Sequence, residues 1–294
     1  MKTAVVYNPL AGRGRGSFVA SAVQRGLQNQ GVEVQGLHAT RRPQEAMEIA
    51  RRLAPTVDVV IAVGGDGTVN EVTNGLADVS APKARLAVVP AGTVNVLARE
   101  LGLPFQVKQA CDVIAGGKTV SLDLGRANGR SFVLMVGAGV DALTVRNVDP
   151  QAKRWFRELA FVGTGLRCGF AAAPSPFLVR ANGREYQATF FVAGNSRYYA
   201  GRLEITPSAD PTDGLLDLMI FTGSTRPSLA VFWLEVPSGL HLHNPNVTCI
   251  QAARAELIPL NERDTIWYQT DGEPAGQLPA TVEIDPHALE VLVP

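Results

Sequence analysis

The run Asp58-Val-Val-Ile-Ala-Val63 leads straight into Gly64-Gly65-Asp66-Gly67-Thr68-Val69-Asn70-Glu71, after which Val69, Val72 and Leu76 fall at helical spacing. Glycines at the carboxyl end of a strand let the backbone approach a ligand closely and adopt positive φ. The helix that follows presents free N–H groups and the positive end of its dipole. Phosphate is the anion such a turn accepts, and Asp66 among the glycines adds an acid able to contact a metal-borne nucleotide. An ordinary tight turn with Thr68 as helix cap explains the glycines in part, but not the acid between them.

The pattern recurs. Leu86-Ala-Val-Val-Pro90 runs into Ala91-Gly92-Thr93-Val94-Asn95-Val96-Leu97-Ala98-Arg99, again a strand, a small-residue turn and a helix. The opening turn Asn8-Pro9-Leu10-Ala11-Gly12-Arg13-Gly14-Arg15-Gly16 adds Arg13 and Arg15, whose guanidinium groups suit phosphate oxygens. A flexible surface loop is the bland alternative for that segment. No G-x-G-x-x-G follows a strand in the required register and no G-x-x-x-x-G-K-[ST] occurs, so neither a dinucleotide fingerprint nor a P-loop is present.

Turns of this kind need a parallel sheet to aim them. Thr3–Tyr7, Val32–Leu37, Asp58–Val63 and Leu86–Val89 read as its strands, with Ser17–Asn29 and Pro43–Leu53 as crossover helices. Pro43 suits a first helical turn and Thr40 stands where it can cap. Two adjacent strands then point glycine turns at one sheet edge, where doubly wound folds place ligands. Beyond Asp123 the texture becomes all-β: Arg130–Val136, Phe177–Arg180, Ala188–Val192, Leu215–Phe221 and Thr281–Ile284 are separated by Asn-Gly, Asp-Gly and Pro-rich turns, with one helical stretch over Pro150–Gly163. The expected organisation is an α/β nucleotide domain over 1–123 and a β-sandwich domain over 124–294.

Composition excludes several classes. The 294 residues carry 27 basic and 27 acidic side chains, with no block of like charge, which disfavours a nucleic-acid partner. At 46% hydrophobic and 18% charged the chain is expected to bury a core. Its longest apolar stretch, Phe132 to Val140, contains two glycines and falls well short of the ~18 residues needed to span a bilayer. The N-terminus lacks the form of a secretory signal, so cytoplasmic residence is expected. Cys111, Cys168 and Cys249 have neither zinc nor disulfide spacing and read as reduced, mostly buried thiols.

Taken together, Gly64-Gly65-Asp66-Gly67-Thr68 with Asn70-Glu71, Pro90-Ala-Gly-Thr93-x-Asn95 with Ala98-Arg99, and Asn8-Pro9-x-Ala-Gly12 resemble the diacylglycerol kinase catalytic-domain family, which includes bacterial lipid kinases and sphingosine kinases. The resemblance continues through Ser121-Leu-Asp123-Leu-Gly125, Asn195-Ser-Arg-Tyr-Tyr-Ala-Gly201, Asp213-Gly-Leu-Leu-Asp217 and Asp271-Gly272-Glu273-Pro274. It implies a nucleotide domain similar to phosphofructokinase and NAD kinase, a β-sandwich, and ATP with substrate in a cleft between them. By the same resemblance ATP would meet Asn8, Pro9, Gly12, Arg13, Thr40, Gly64, Gly65, Asp66, Gly67, Thr68, Asn70, Glu71 and Thr93. Asp66 and Asp123 would organise the Mg²⁺ attached to the nucleotide. Many family members carry Asp where this sequence has Val96, which leaves that network one acid poorer.

Phosphoryl transfer also needs a base for the incoming hydroxyl. Glu273 is the candidate, on a sharp turn whose partial desolvation would raise its pKa toward a useful range; an acidic hairpin turn is the plain alternative. A structural metal in the family would map to the Asp213 carboxylate with the main-chain oxygens of Asp210 and Leu215, although an Asp-Gly turn explains those residues without one. His38, His241, His243 and His287 read as loop residues. Lys153-Arg154-Trp155-Phe156-Arg157 reads as a helix packing its aromatics inward, with contact to anionic lipid as the alternative. The resulting expectation is an ATP- and Mg²⁺-dependent lipid kinase acting on diacylglycerol or a related lipid at a membrane surface, cytoplasmic or peripheral at the inner face, with a homodimer left open. An NAD kinase-like small-molecule kinase and a non-enzymatic nucleotide-binding regulator are the rivals.

Overall fold

The computed structural model describes residues 1–79, 84–140, 142–143, 175–199, 201–261 and 263–294. The expected helix over 150–163, its basic-aromatic run and Cys168 lie outside them. The described chain divides into two compact units, Met1–Asp123 with His287–Pro294, and Leu124–Pro286.

In the first unit, strands β1 (Lys2–Tyr7), β2 (Glu33–Ala39), β3 (Val59–Gly64) and β4 (Arg85–Pro90) are parallel and ordered β2-β1-β3-β4. Every residue of β3 is buried, as a central parallel strand covered on both faces requires. Between β1 and β2 runs helix α1 (Gly16–Asn29), which buries Gly16, Ala20, Val23 and Leu27. Phe18, which the sequence places among its apolar positions, is exposed because it lies off that stripe. Gly31, at φ 76, ends α1 in the left-handed conformation while the Val32 amide bonds back to the Leu27 carbonyl. Helix α2 (Glu45–Leu53) joins β2 to β3, and helix α3 (Asp66–Ala77) follows β3. A short helix α4 (Val96–Glu100) and helix α5 (Val107–Gly116) complete the layer. Val5, Ile61, Val63, Val89 and Leu27 share a core with Cys111 and Ile114.

The last residues depart from the expected organisation. Val291 pairs in parallel with Leu86, Leu292 joins the first unit's core and the Val293 amide bonds to the Lys118 carbonyl. Residues 287–294 thus extend the parallel sheet rather than the β domain. Burial of Val291 and Leu292, with pairing to the open backbone edge of β4, supplies the driving force.

The second unit contains β5 (Thr119–Ala127), whose end enters it, then β6 (Arg130–Phe132), β7 (Met135–Gly139), β8 (Phe177–Ala181), β9 (Arg184–Ala188) and β10 (Phe190–Gly194). A small pair, β11 (Tyr198–Tyr199) and β12 (Leu203–Glu204), precedes β13 (Leu216–Phe221) and helix α6 (Arg226–Glu235). The unit closes with β14 (Val247–Ala252), β15 (Arg254–Pro259), β16 (Trp267–Thr270), β17 (Glu273–Gln277) and the first part of β18 (Ala280–Leu292). One sheet runs β14-β13-β10-β7-β16-β17, and the other includes β18-β15-β8-β9. Leu216, Leu218 and Ile220 of β13 and Phe191 and Ala193 of β10 meet Phe177, Val179, Leu257 and Val282 in the sandwich core. The opposite face is covered too: Phe221 stacks on Phe232 of α6 at 4.7 Å between ring centroids, and Phe190 meets Phe232 and Trp233. That second cover explains strands buried on both sides where alternation would expose one.

His38, His241, His287 and Cys249 depart from the sequence expectation, His38 lying on β2 and His287 within β18. His241 is fully buried, its Nε2 is 3.3 Å from the Ile205 carbonyl, and burial pushes its pKa down. Cys249 is exposed, unlike the buried Cys111.

Candidate functional site

The carboxyl ends of the four parallel strands stand in register. Ala39 is opposite Tyr7, Tyr7 opposite Val63, and Val63 opposite Val89. Because β1 sends its chain to one neighbour and β3 to the other, the strand order reverses between them, and the turns leaving β1 and β3 flank the crevice of a doubly wound sheet.

Backbone bonds knit these turns together. The Asn8 amide donates to the Val63 carbonyl at 3.2 Å and the Thr40 amide to Tyr7 at 2.9 Å. Those of Ala91 and Gly92 both reach the Gly64 carbonyl, at 2.8 and 3.1 Å. The glycines are required by proximity. A Cβ on Gly92 would lie 2.3 Å from the Gly65 Cα, one on Gly16 would lie 1.9 Å from the Asn8 carbonyl oxygen, and one on Gly12 would lie 3.0 Å from the Ala91 carbonyl. Gly12 also sits at φ 59, followed by Arg13 at φ 64 and Gly14 at φ 84, so the opening turn uses three positive-φ residues in succession.

Helix α3 begins at Asp66 with Gly65 as its N-cap and no side chain capping it. The first amides of the helix therefore keep anion-binding capacity. This corrects the reading of Thr68 as cap. Thr68 is instead buried against Gly64, where an added Cβ would lie 2.4 Å from the Thr68 hydroxyl. Helix α1 likewise starts at this edge without a side-chain cap.

Asp66 reaches across to the second turn, where its Oδ1 accepts the Val96 amide at 2.6 Å. The departure at Val96 thus leaves the backbone link intact and removes only a side-chain acid. Asn95, absent from the expected site residues, closes that turn: at φ 56, its Oδ1 accepts the Gly92 amide and its Nδ2 donates to the Gly92 carbonyl, both at 2.9 Å. An Asn three residues after a glycine, in a turn needing a left-handed residue, was the available signal. Thr93 is exposed at the tip.

Two residues sit differently from expectation. The Glu71 carboxylate accepts the amides of Gln44 and Ala46 at 2.9 and 3.1 Å, so it is spent on the start of α2 rather than left at the phosphate turn. That bond also replaces the expected Thr40 and Pro43 start of α2, whose N-cap is Gln44 at φ 65 with no side-chain cap of its own. Asp123 is fully buried and its Oδ1 accepts the His287 amide at 2.7 Å, fixing the point where the chain returns to the first unit.

The acids of the second unit occupy two turns. Asp271 (φ 49) and Gly272 (φ 81) form the two-residue loop between β16 and β17 that an Asp-Gly pair favours. The Asp271 carboxylate accepts the amides of Val133, Leu134 and Met135 at 2.9, 2.8 and 3.0 Å. Hydrogen bonds to a charged group contribute roughly 1.5–3 kcal/mol each, so this hairpin is firmly anchored. Asn195 holds the same segment through the Val133 carbonyl at 2.8 Å, which explains why two motifs far apart in sequence serve one place. Glu273 follows, with a side chain 52% exposed and paired with Arg130 at 3.1 Å. Its side chain is thus half exposed, and the Arg130 pairing orients it.

At the other turn Asp213 Oδ1 accepts the Leu215 amide at 2.9 Å, and the Asp210 carbonyl accepts the Asp213 amide at 3.4 Å. Gln251 Nε2 bridges Asp213 and Asp217 at 3.3 and 3.1 Å. Burial, and also the Asp213 charge, push the Asp217 pKa up. Two facing acids with turn carbonyls beside them suit a hard cation. Among the described residues no three His, Cys, Asp or Glu side chains cluster as a metal cage. A cation here would rest on main-chain oxygens and water as much as on carboxylate, and one at Asp66 on phosphate oxygens, the usual manner of Mg²⁺.

Residues 2–127 match the family model described as the diacylglycerol kinase catalytic domain, and residues 134–293 the YegS C-terminal NAD kinase beta sandwich-like domain. A diacylglycerol kinase of Bacillus subtilis is 30% identical, covering 94% of this chain and 90% of its own. One from Mycobacterium tuberculosis is 31% identical, covering 100% and 95%. A crystal structure of a Bacillus anthracis diacylglycerol kinase superposes with a TM-score of 0.74 at 21% identity, covering 100% of this chain and 96% of that one. Another structure from the same organism reaches 0.83 at 24% identity, covering 100% and 95%. The last two establish the fold, an α/β domain with a parallel sheet followed by an antiparallel sandwich.

Proposed function

This chain belongs to the diacylglycerol kinase catalytic-domain family, and from that premise we propose that it transfers the γ-phosphoryl group of ATP to the hydroxyl of a lipid, diacylglycerol or a close relative. The observation that supports this most is the convergence of four strand-end turns on one sheet edge, with Gly92 against Gly65 and the uncapped start of α3 among them. Asn8, Pro9, Gly12, Arg13, Thr40, Gly64, Gly65, Asp66, Gly67, Thr68, Asn70 and Thr93 then bind ATP, with its phosphates on the first amides of α3.

The lipid hydroxyl oxygen forms the new bond to the γ-phosphorus as the bond to the bridging β-oxygen breaks, releasing ADP. The hydroxyl proton passes to the Glu273 carboxylate, which Arg130 orients. Mg²⁺ carried by the nucleotide would supply charge neutralisation at the phosphates, and Asp66 is the carboxylate that would hold it, Asp123 being buried and bonded to the His287 amide. A lipid acceptor would bring the encounter to a membrane surface, and for a chain residing in the cytoplasm that surface would be the inner face; a homodimer stays an open proposal.

The test offers γ-labelled ATP with diacylglycerol, sphingoid base, phosphatidylglycerol or NAD. Label should appear in the organic phase with a lipid acceptor. Label only in NADP, or none in any acceptor, would refute the reading.

We also propose a structural Mg²⁺ at Asp213 with the main-chain oxygens of Asp210 and Leu215, beside the Asp213 and Asp217 carboxylates that Gln251 bridges. Elemental analysis after removal of nucleotide should find residual Mg²⁺ in the wild type and less in Asp213→Ala. Equal content would count against the site.

A further inference from the structure

Resting on the ATP reading above, we propose that Glu71 is a positioning residue for the nucleotide, holding the Thr40 loop at a fixed distance from the phosphate turn. Its two carboxylate oxygens each take one amide, Gln44 at 2.9 Å and Ala46 at 3.1 Å. Those amides begin α2, whose N-cap, Gln44, is left-handed at φ 65 and has no side-chain cap. A cap normally comes from the helix's own N-cap residue; here the neighbouring helix supplies it.

The connection is rigid at both ends. Glu71 lies one turn into α3, the helix that starts at Asp66, and one turn before Gly75, where α2 and α3 are in contact. A Cβ on Gly75 would lie 2.3 Å from the Met47 carbonyl oxygen and 2.8 Å from the Ala50 Cβ, so the two helices can neither slide nor separate without opening that contact. On the loop side, the Glu45 carboxylate collects the amides of Arg41 and Arg42, and those bonds hold its pKa down. The Thr40 amide is bonded to the Tyr7 carbonyl. The amides of Thr40, Arg41, Arg42, Gln44 and Ala46 are thus all committed, and of the acceptors that hold them Glu71 is the one on the helix that starts at the phosphate turn.

Removing it should loosen the loop relative to the turn and weaken ATP without disturbing the lipid. Glu71→Ala is expected to raise the ATP dissociation constant and the KM for ATP about tenfold, a loss on the scale of one charge-assisted hydrogen bond. The KM for lipid should stay put and kcat should fall far less than tenfold. Hydrogen exchange should accelerate at residues 41–46 of the full chain. A merely destabilised protein would show the reverse split, a smaller active fraction and hence lower kcat at unchanged KM. Should Glu71→Ala fail to fold, Glu71→Gln keeps the shape and one acceptor but turns an NH₂ toward the second amide, and the same split should appear in weaker form. Unchanged ATP affinity in a folded Glu71→Gln or Glu71→Ala, beside a wild type that binds ATP, would overturn the positioning role alone. A wild type that binds no ATP would overturn both this role and the reading beneath it.

Discussion

Glu273→Gln should fold and bind ATP as the wild type does, yet turn over about 10²–10⁴-fold more slowly, the usual cost of a lost acid–base group. Glutamine has the length to keep contact with the Arg130 guanidinium but cannot accept the lipid proton. The Arg130 pair is half exposed, and pairs of that kind contribute roughly 0–1 kcal/mol, so stability should hardly change. The anchoring of the hairpin belongs to Asp271, which the substitution leaves alone. kcat and kcat/KM should drop together, as for an interaction made in the transition state. A rise in KM for lipid with kcat intact would make Glu273 a substrate-holding residue and send the search for the base elsewhere.

Asp66→Asn should be nearly as damaging for a different reason. The Asp66 Oδ1 bond to the Val96 amide needs only an oxygen acceptor, and asparagine provides one, so the two turns should stay joined. What disappears is the negative charge opposite the nucleotide's metal. Loss of a preorganised electrostatic contact of this kind lowers turnover on the order of 10²–10³-fold, and more Mg²⁺ should be needed for half-maximal rate. Melting temperature is the control. Unchanged turnover across a Mg²⁺ titration would assign Asp66 to the turn alone.

The phosphate turns were legible because their chemistry is local. A strand ending in glycines and an acid, followed by a helical period, constrains backbone geometry within about ten residues, and Gly64, Gly65 and Asp66 sit where that pattern puts them. What could not be read are the side chains whose meaning depends on a distant partner. Glu71 stands beside the motif yet serves amides at 44 and 46; Asp271 stands beside the candidate base yet serves amides at 133–135. The return of residues 287–294 to the parallel sheet was equally hidden, since a β-strand that serves two units has the same alternation as one that serves a single unit. His241 reads as a loop residue because it stands two residues from His243 just before Asn244-Pro245-Asn246, and only the fold shows its ring packed against Phe232, 6.0 Å between centroids.

The central claim, that ATP is held at the edge where Gly92 lies against Gly65, is tested most directly by calorimetric titration of MgATP into the wild type and Gly92→Val. The side chain added at Gly92 would begin 2.3 Å from the Gly65 Cα and must force the two turns apart. The account expects one ATP per wild-type chain and no measurable binding to a Gly92→Val protein that still unfolds cooperatively. Equal affinity in the two proteins would contradict it.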